Sequence, residues 1–284
     1  MTTDPMTTDP MTTDPITTDP RRPPQGRRWL TGLIEQRLLP PDEVATLCVG
    51  STARGWATAA SDLDVYVVSE TASAHRGARV PVPLVPDHVR TVESELEGRR
   101  CEVTYWTAAQ VDQMLAKVGR DRLDRPDTSL KPLTDAEELF LERLGSGIVL
   151  TGAQQVAAWR AAFTAGAYRT FLAARAVAES EGKVETSRAL LSAGDVESAV
   201  LVARLAHAHA VDAVLDHHGV HGTRTPKWQA RRVRDAGLEV LTFEDYWTVQ
   251  SMRDLVPGQE PRWVGTVLAR CEGLTLAVDL GREP

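Results

Sequence analysis

Residues 47–70 read LCVGSTARGWATAASDLDVYVVSE, and this stretch carries most of the information about the fold. Its two apolar runs predict two strands. Side chains alternate across a strand, so Asp62 and Asp64 point to one face of the second run while their apolar neighbours turn into a core. Two adjacent carboxylates repel each other unless a cation lies between them, and oxygen ligands of this kind suit Mg²⁺ that also holds substrate phosphates. The stretch therefore predicts a site for a metal-bound nucleoside triphosphate.

A Gly50-Ser51 pair follows the first predicted strand, residues 44–49. Glycine lets the backbone turn tightly, so main-chain N–H groups and the Ser51 hydroxyl are expected to face a phosphate. Gly50 and Gly55 have the spacing of a P-loop, but Trp56 stands where that motif requires a lysine, which excludes a P-loop.

The order of these features, an apolar strand, Gly-Ser, a short spacer and Asp-x-Asp, resembles the nucleotidyltransferase fold shared by DNA polymerase β and the aminoglycoside nucleotidyltransferases. That family uses a third carboxylate on a neighbouring strand, and the alternating run RCEVTYW at 100–106 supplies Glu102. The residues leave two roles open for Glu102, a ligand of a second metal ion or the general base. The resemblance favours the general base, with one or two Mg²⁺ ions held by Asp62 and Asp64 and with ATP as co-substrate; in the other role Glu102 joins the two aspartates as a metal ligand.

The second half of the chain adds another resemblance. The run VLVARL at 200–205, followed by a Gly-containing break and Lys227, looks like the C-terminal domain of the streptomycin/spectinomycin adenylyltransferases. That likeness implies that Arg204 and Lys227 contact the triphosphate, although the intervening loop is longer here. Arg54 is a further candidate for contact with the leaving pyrophosphate. The alternative, to which we give equal weight, is that Arg54 is an exposed arginine on the following helix.

Acidic residues near the start of the same long helix are candidates for binding a cationic acceptor. The resemblance places Asp195 and Glu197 there. An N-cap aspartate followed by a first-turn glutamate is the simpler interpretation, and we favour it. Trp106 and Trp228 suit stacking on a base or sugar, but core packing is the more common use of such residues.

Composition narrows the function classes. The 284 residues are 42% apolar, enough for a packed core, and carry a formal net charge of −7, which argues against a protein that follows a nucleic-acid backbone. No apolar stretch predicts a membrane span, and the N-terminus lacks a signal-peptide pattern. Three distant cysteines predict neither a disulfide framework nor a zinc site, and a reducing cytoplasm is the expected location.

We predict an α+β chain with three segments: a disordered repeat tail over 1–28, a small mixed-sheet nucleotidyltransferase domain over 29–145 and an α-helical bundle domain over 146–284. A Thr134-x-x-Glu137 capping box opens one helix. Strand signals largely vanish after Trp106. The remaining predicted helices cover 29–39, 87–96, 153–181, 195–218, 226–236, 243–255 and 262–280.

The leading functional hypothesis is transfer of AMP from ATP to a hydroxyl of a small molecule, such as an aminoglycoside-like antibiotic or a biosynthetic intermediate. A protein AMP-transferase of the toxin–antitoxin type and a non-catalytic nucleotide-binding regulator are the alternatives. The fused helical domain argues against the first, and the three carboxylates argue against the second. The oligomeric state stays open.

Overall fold

The computed structural model describes residues 24–278, apart from 124, 126–128 and 224. The repeat tail therefore lies outside the described residues up to position 23. The first helix, α1, covers Pro24–Glu35 and begins five residues before the predicted start at Trp29. A proline at the first helical position is favourable because its missing N–H would have no partner there.

A mixed sheet of six strands forms the first half, in the order β3-β4-β5-β2-β1-β6. Only β2 and β5 pair in parallel among these strands, and every other pair is antiparallel. The strands are β1 (Glu43–Val49), β2 (Leu63–Ser69), β3 (Ala78–Pro81), β4 (His88–Leu96), β5 (Arg99–Thr107) and β6 (Ile148–Thr151). The predicted strands around the Gly-Ser turn, Asp64 and Glu102 are confirmed.

The helix predicted over 87–96 is wrong, because that segment is strand β4. It forms a hairpin with β5 through Glu97 and Gly98, which have φ values of 52° and 72°. Two consecutive residues with positive φ form the turn whose twist suits a hairpin. The strand β6 was also missed, since it has only four residues and pairs at the sheet edge with β1.

The helices after α1 are α2 (Gly50–Ala53), α3 (Ala108–Lys117), α4 (Asp135–Ser146), α5 (Ala153–Ala165), α6 (Tyr168–Ser192), α7 (Val196–His217), α8 (Gln229–Ala236), α9 (Phe243–Gln250) and α10 (Glu260–Leu276). The capping box at the start of α4 is confirmed.

The predicted helix over 153–181 is broken in two at Gly166. The N–H of Ala167 bonds the carbonyl of Val118 at 2.7 Å, and a Cβ on Gly166 would lie 2.8 Å from that same oxygen. The loop after α3 therefore occupies the path that a continuous helix would take.

The sheet is covered on both faces. Leu63 and Val65 turn toward Trp29 and Leu33 of α1 in one core. The other face packs against α3, α4, α5 and the first turn of α6. A separate core joins α6, α7 and α10. The predicted class, α+β with a small mixed sheet followed by a helical bundle, is confirmed, and α6 contributes to both of the latter cores.

In the described part of the chain, α7 alone is long and apolar enough to cross a membrane. More than half of its apolar window, 56%, is buried inside the protein. It packs against α6 and α10 as part of the helical core.

Candidate active site

Two of the predicted carboxylates lie side by side in the sheet. Asp64 of β2 pairs with Glu102 of β5 in the parallel register, so both side chains leave the same face. Asp62 lies just before β2 and close enough for its charge to act on Asp64. All three residues are half-buried. The strand register thus places Asp64 beside Glu102, and Asp62 lies near Asp64.

The turn at Gly50 is built around Asp64. Gly50 has φ of 69°, and a Cβ there would lie 2.1 Å from Oδ2 of Asp64. Only glycine fits, both because of the left-handed backbone and because the carboxylate occupies the space. The turn and the aspartate are therefore parts of one site.

Arginines already face these carboxylates. Arg143 of α4 lies 3.6 Å from Asp64 and donates to the Tyr66 hydroxyl at 3.1 Å, while Arg100 lies 3.0 Å from Asp62. Burial raises the pKa of Asp64 and the charge of Asp62 adds to this, whereas Arg143 opposes the rise. Sequence reasoning missed Arg143, since nothing in its helix distinguishes it from a surface arginine.

A preformed metal cage is absent: the described residues contain no group of three His, Cys, Asp or Glu side chains arranged to hold an ion. The donor set still fits Mg²⁺, which binds through one or two carboxylates together with substrate phosphates and keeps several waters. The missing Cβ of Gly50 lets the backbone of the turn approach the Asp64 carboxylate, so main-chain groups and carboxylate lie side by side where such an ion and its phosphate would bind.

A cleft of about 100 Å³ opens over this face. It brings together most of the predicted nucleotide-binding residues with Asp64, and its lining includes Gly50, Ser51, Arg54 and Lys227. The Lys227 charge reaches Asp64, where it opposes the rise of the carboxyl pKa that burial causes. Arg143 and Glu142 complete the wall from α4.

Arg204 does not reach the cleft. It lies twelve residues before Asp216 on α7, about 18 Å along the helix axis. Its side chain is half-buried with no carboxylate within 4.0 Å in the described part of the protein. A half-buried arginine can extend its guanidinium to water.

Asp195 and Glu197 are also far from the cleft. Both are exposed at the start of α7, about 30 Å along the axis from Asp216. Asp195 accepts a hydrogen bond from the N–H of Ser198 at 3.2 Å, so it is the N-cap of α7. The simpler interpretation of these two acids agrees with their placement.

The two halves of the protein meet at the mouth of the cleft. The rings of Trp56 and Trp228 lie 5.7 Å apart, and Nε1 of Trp56 donates to Asp235 of α8 at 2.8 Å. Arg54 lies over Trp56, and Lys227 lies over Trp228. Trp106, by contrast, is buried in the sheet core.

A buried ion network holds this side of the cleft in place. Arg232 of α8 is fully buried and donates to Asp212, to Asp216 and to the carbonyl of Val220. Sequence reasoning missed it, but a signal exists: Asp212 and Asp216 stand one turn apart on an otherwise apolar helix, and buried acids require a partner.

The sequence matches no protein-family model, and no curated protein is significantly similar to it. Among solved structures, the chain is similar to a nucleotidyltransferase-like protein from Exiguobacterium sibiricum 255-15. The identity is 12%, the TM-score is 0.49, and the match covers 89% of this chain and 75% of that one. What the cleft can do therefore follows from its own residues.

Proposed function

We propose that this protein is a Mg²⁺-dependent nucleotidyltransferase that moves AMP from ATP to a hydroxyl of a small molecule in the cytoplasm. An aminoglycoside-like antibiotic and a biosynthetic intermediate are the two kinds of acceptor considered. The observation that carries the proposal is the pairing of Asp64 with Glu102 in neighbouring strands, with Asp62 nearby. The Asp64 carboxylate also lies directly against Gly50 of the Gly-Ser turn.

The reaction is an in-line displacement. The acceptor oxygen bonds to the α-phosphorus, the bond from that phosphorus to the bridging oxygen breaks, and pyrophosphate leaves with its electron pair. Glu102 takes the proton of the acceptor hydroxyl as general base. Asp62 and Asp64 would hold Mg²⁺, which when bound neutralises charge on the triphosphate.

Cationic side chains of this cleft suit the negative charge of the triphosphate that Mg²⁺ would not neutralise. Arg54, Arg143 and Lys227 line the cleft, together with the Ser51 hydroxyl. Charge placed where the transition state develops it, in a site partly closed to water, is the main protein contribution to phosphoryl transfer. Arg143 also keeps Asp64 in position before nucleotide binds, since it lies 3.6 Å from that carboxylate.

Mass spectrometry tests the proposal. The protein is incubated with Mg²⁺, each of the four nucleoside triphosphates and a panel of hydroxylated small molecules, and a product heavier by one nucleoside monophosphate is expected. Asp64→Ala should abolish transfer without unfolding the protein, because it removes one of two repelling carboxylates. Asp254→Ala, at an exposed position, is the control and should leave transfer unchanged.

Glu102 is tested separately in the same assay. Glu102→Gln should bind nucleotide as the parent does and lose transfer by about 10²-fold or more, because a positioned base contributes that much. Parental transfer by Asp64→Ala would refute the metal assignment. Modification of a copurifying protein in place of every small molecule would favour the protein AMP-transferase, and ATP binding without any transfer would favour the regulator.

A further inference from the structure

A second cavity, of about 1060 Å³, adjoins the cleft. Arg54 and Glu142 line both spaces, so they form the shared wall between them. A molecule in this cavity would lie next to the reaction centre without occupying the Gly50 turn. The cavity is large enough for an acceptor of drug size.

The charge of this cavity is predominantly positive. Four arginines line it, against the single carboxylate of Glu142. Burial lowers the pKa of Arg54, and the Glu142 carboxylate is the charge that opposes this most strongly. The charges of Arg54 and Glu142 therefore offset each other. Burial, and then the charge of Asp216, raise the pKa of Glu142.

Two of the other arginines keep their charge available. Arg160 of α5 donates to the carbonyls of Leu144 and Gly147 at the end of α4, and Arg169 stands at the second position of α6. Within the described residues, neither has a carboxylate within 4.0 Å. Arg120 also lines the cavity, donates to the carbonyl of Ala165 at 2.8 Å and has a further partner.

One wall of the cavity is aromatic. Phe163 and Tyr168 have ring centroids 4.9 Å apart, and the His221 ring lies 5.1 Å from Tyr168. Sugar rings and other ring systems pack well against such a surface, and a cation is disfavoured by the arginines beside it.

We propose that this cavity binds the acceptor and that the acceptor is an anionic small molecule, carrying a carboxylate or phosphate group and a ring, rather than a polycation. This inference rests on the proposed function and selects between its two kinds of acceptor: an acidic intermediate fits the cavity, and an aminoglycoside does not. Arg169 is the specificity-determining residue, because its charge faces the cavity without an acidic partner.

Binding of three disaccharides of similar size tests the inference: lactobionate, which has one carboxylate, neutral lactose, and deacetylated chitobiose, which has two amines. Isothermal titration calorimetry is run with Mg²⁺ and an α,β-methylene analogue of ATP present. Lactobionate should bind the parent protein at least about tenfold more tightly than chitobiose, a difference of about 1.4 kcal/mol. Arg169→Glu should abolish that preference, and Arg76→Glu, at an exposed position outside the cavity, should keep it.

Equal binding of the three disaccharides, or tighter binding of chitobiose, would overturn the inference. So would an Arg169→Glu variant that loses the nucleotide analogue by the same factor as lactobionate, because the cavity would then belong to the nucleotide. Arg169→Gln, which keeps a polar side chain, replaces Arg169→Glu if the latter does not fold. The two proposals fail separately: lactobionate preference without any nucleotidyl transfer refutes only the function, and transfer to a polycation refutes only this inference.

Discussion

Arg232 is the largest fully buried side chain of the described residues, and its charge is matched by two acids. Its guanidinium lies 2.6 Å from Asp212 and 3.2 Å from Asp216, and it also donates to the carbonyl of Val220. Burial raises the pKa of Asp212, and the nearby arginine opposes that rise. The arginine therefore joins α7, the following loop and α8 through one group.

Removal of that group should destabilise the whole protein. Arg232→Ala removes the shared cation of two acids, one of them fully buried, and the free energy of unfolding should fall by about 3–5 kcal/mol. Urea denaturation measures the change. Arg231→Ala, at the exposed neighbouring position, should alter it by no more than about 1 kcal/mol, and equal effects of the two substitutions would show that burial of the ion pair is unimportant.

His207 makes stability depend on pH. It is 2% exposed, and burial lowers its pKa to about 4 from the ordinary 6.5. The Arg270 charge adds to the decrease and the Asp245 charge opposes it, while Gln250 lies 3.2 Å from its Nδ1. Because the unfolded chain binds the proton more readily, His207 stabilises the fold least at low pH.

The contribution of His207 to the free energy of unfolding should begin to fall as the pH drops below about 6.5, and the fall should level off near pH 4. His207→Gln should remove on the order of 2 kcal/mol from the change in unfolding free energy between pH 7 and pH 4.5. Denaturation curves at both pH values for the parent and the variant measure this difference. Parallel pH profiles would contradict the burial of a neutral imidazole.

Most residues of the candidate site were predicted before the structure was considered. Asp62 and Asp64 were identified from alternation and spacing and Glu102 from the family resemblance, and the structure places Asp64 beside Glu102 with Asp62 near Asp64. Arg204 was assigned by resemblance and lies outside the cleft, whereas Arg143 was not identified and lies 3.6 Å from Asp64. Arginines are common on helix surfaces, so only their three-dimensional position separates a site residue from a solvated one.

At the scale of elements, β4 shows how a polar strand is missed. Its sequence, HVRTVESEL, alternates weakly and contains glutamates that favour helix. It becomes a strand because the Glu97-Gly98 turn returns the chain beside β5, where its backbone groups complete the sheet. Tertiary pairing overrides local preference in such a segment.

The contact between α8 and the turn after α2 is a second effect of tertiary packing. Trp56 donates to Asp235 at 2.8 Å, and this bond fixes the short 3₁₀ turn Pro226–Trp228 that carries Lys227. Trp56 and Asp235 are 179 residues apart in the sequence, so no local pattern predicts their contact.

Loss of that bond should loosen the segment at 226–236 without unfolding the protein. Asp235→Ala removes a hydrogen bond to a charged group, worth about 1.5–3 kcal/mol. Hydrogen–deuterium exchange of the backbone amides over 226–236 should become faster, while exchange in β2 and β5 stays at the parental rate. Asp254→Ala serves as the exposed control, and unchanged exchange in Asp235→Ala would show that ring packing alone holds the contact.

At the scale of the molecule, α6 links the two halves. Its first turn packs on the sheet core, and its later turns belong to the core with α7 and α10. A helix of 25 residues shared in this way should couple the unfolding of both halves. The domain boundary between residues 145 and 146 stays a prediction. Both β6 and α5 follow that point in the chain and pack with the sheet.

Cysteine labelling tests this coupling. Cys48 and Cys101 lie in the sheet core and Cys271 in the helical core, and burial raises the pKa of each thiol to about 12. Each thiol should therefore react with a disulfide reagent only after the protein opens. In variants that keep a single cysteine, the rates for Cys48 and Cys271 should agree within about threefold, as one cooperative unit requires.

A Cys271 rate more than about tenfold above that of Cys48 would show that the helical half opens alone, with an opening free energy lower by about 1.4 kcal/mol. Complete labelling in urea confirms that every thiol can react once it is exposed.

The amino-acid sequence by itself determined the apolar strands, the Gly-Ser turn, the capped and apolar helices and the alternation that pairs Asp62 with Asp64, because these depend on side-chain periodicity and local backbone preference. Tertiary structure alone decided that β4 is a strand, that Gly166 divides a helix, that Lys227 and Arg143 reach the cleft while Arg204 does not, and that arginines line the adjoining cavity. These depend on contacts between residues far apart in the chain, where the packing of whole elements, rather than any local pattern, fixes which side chains meet.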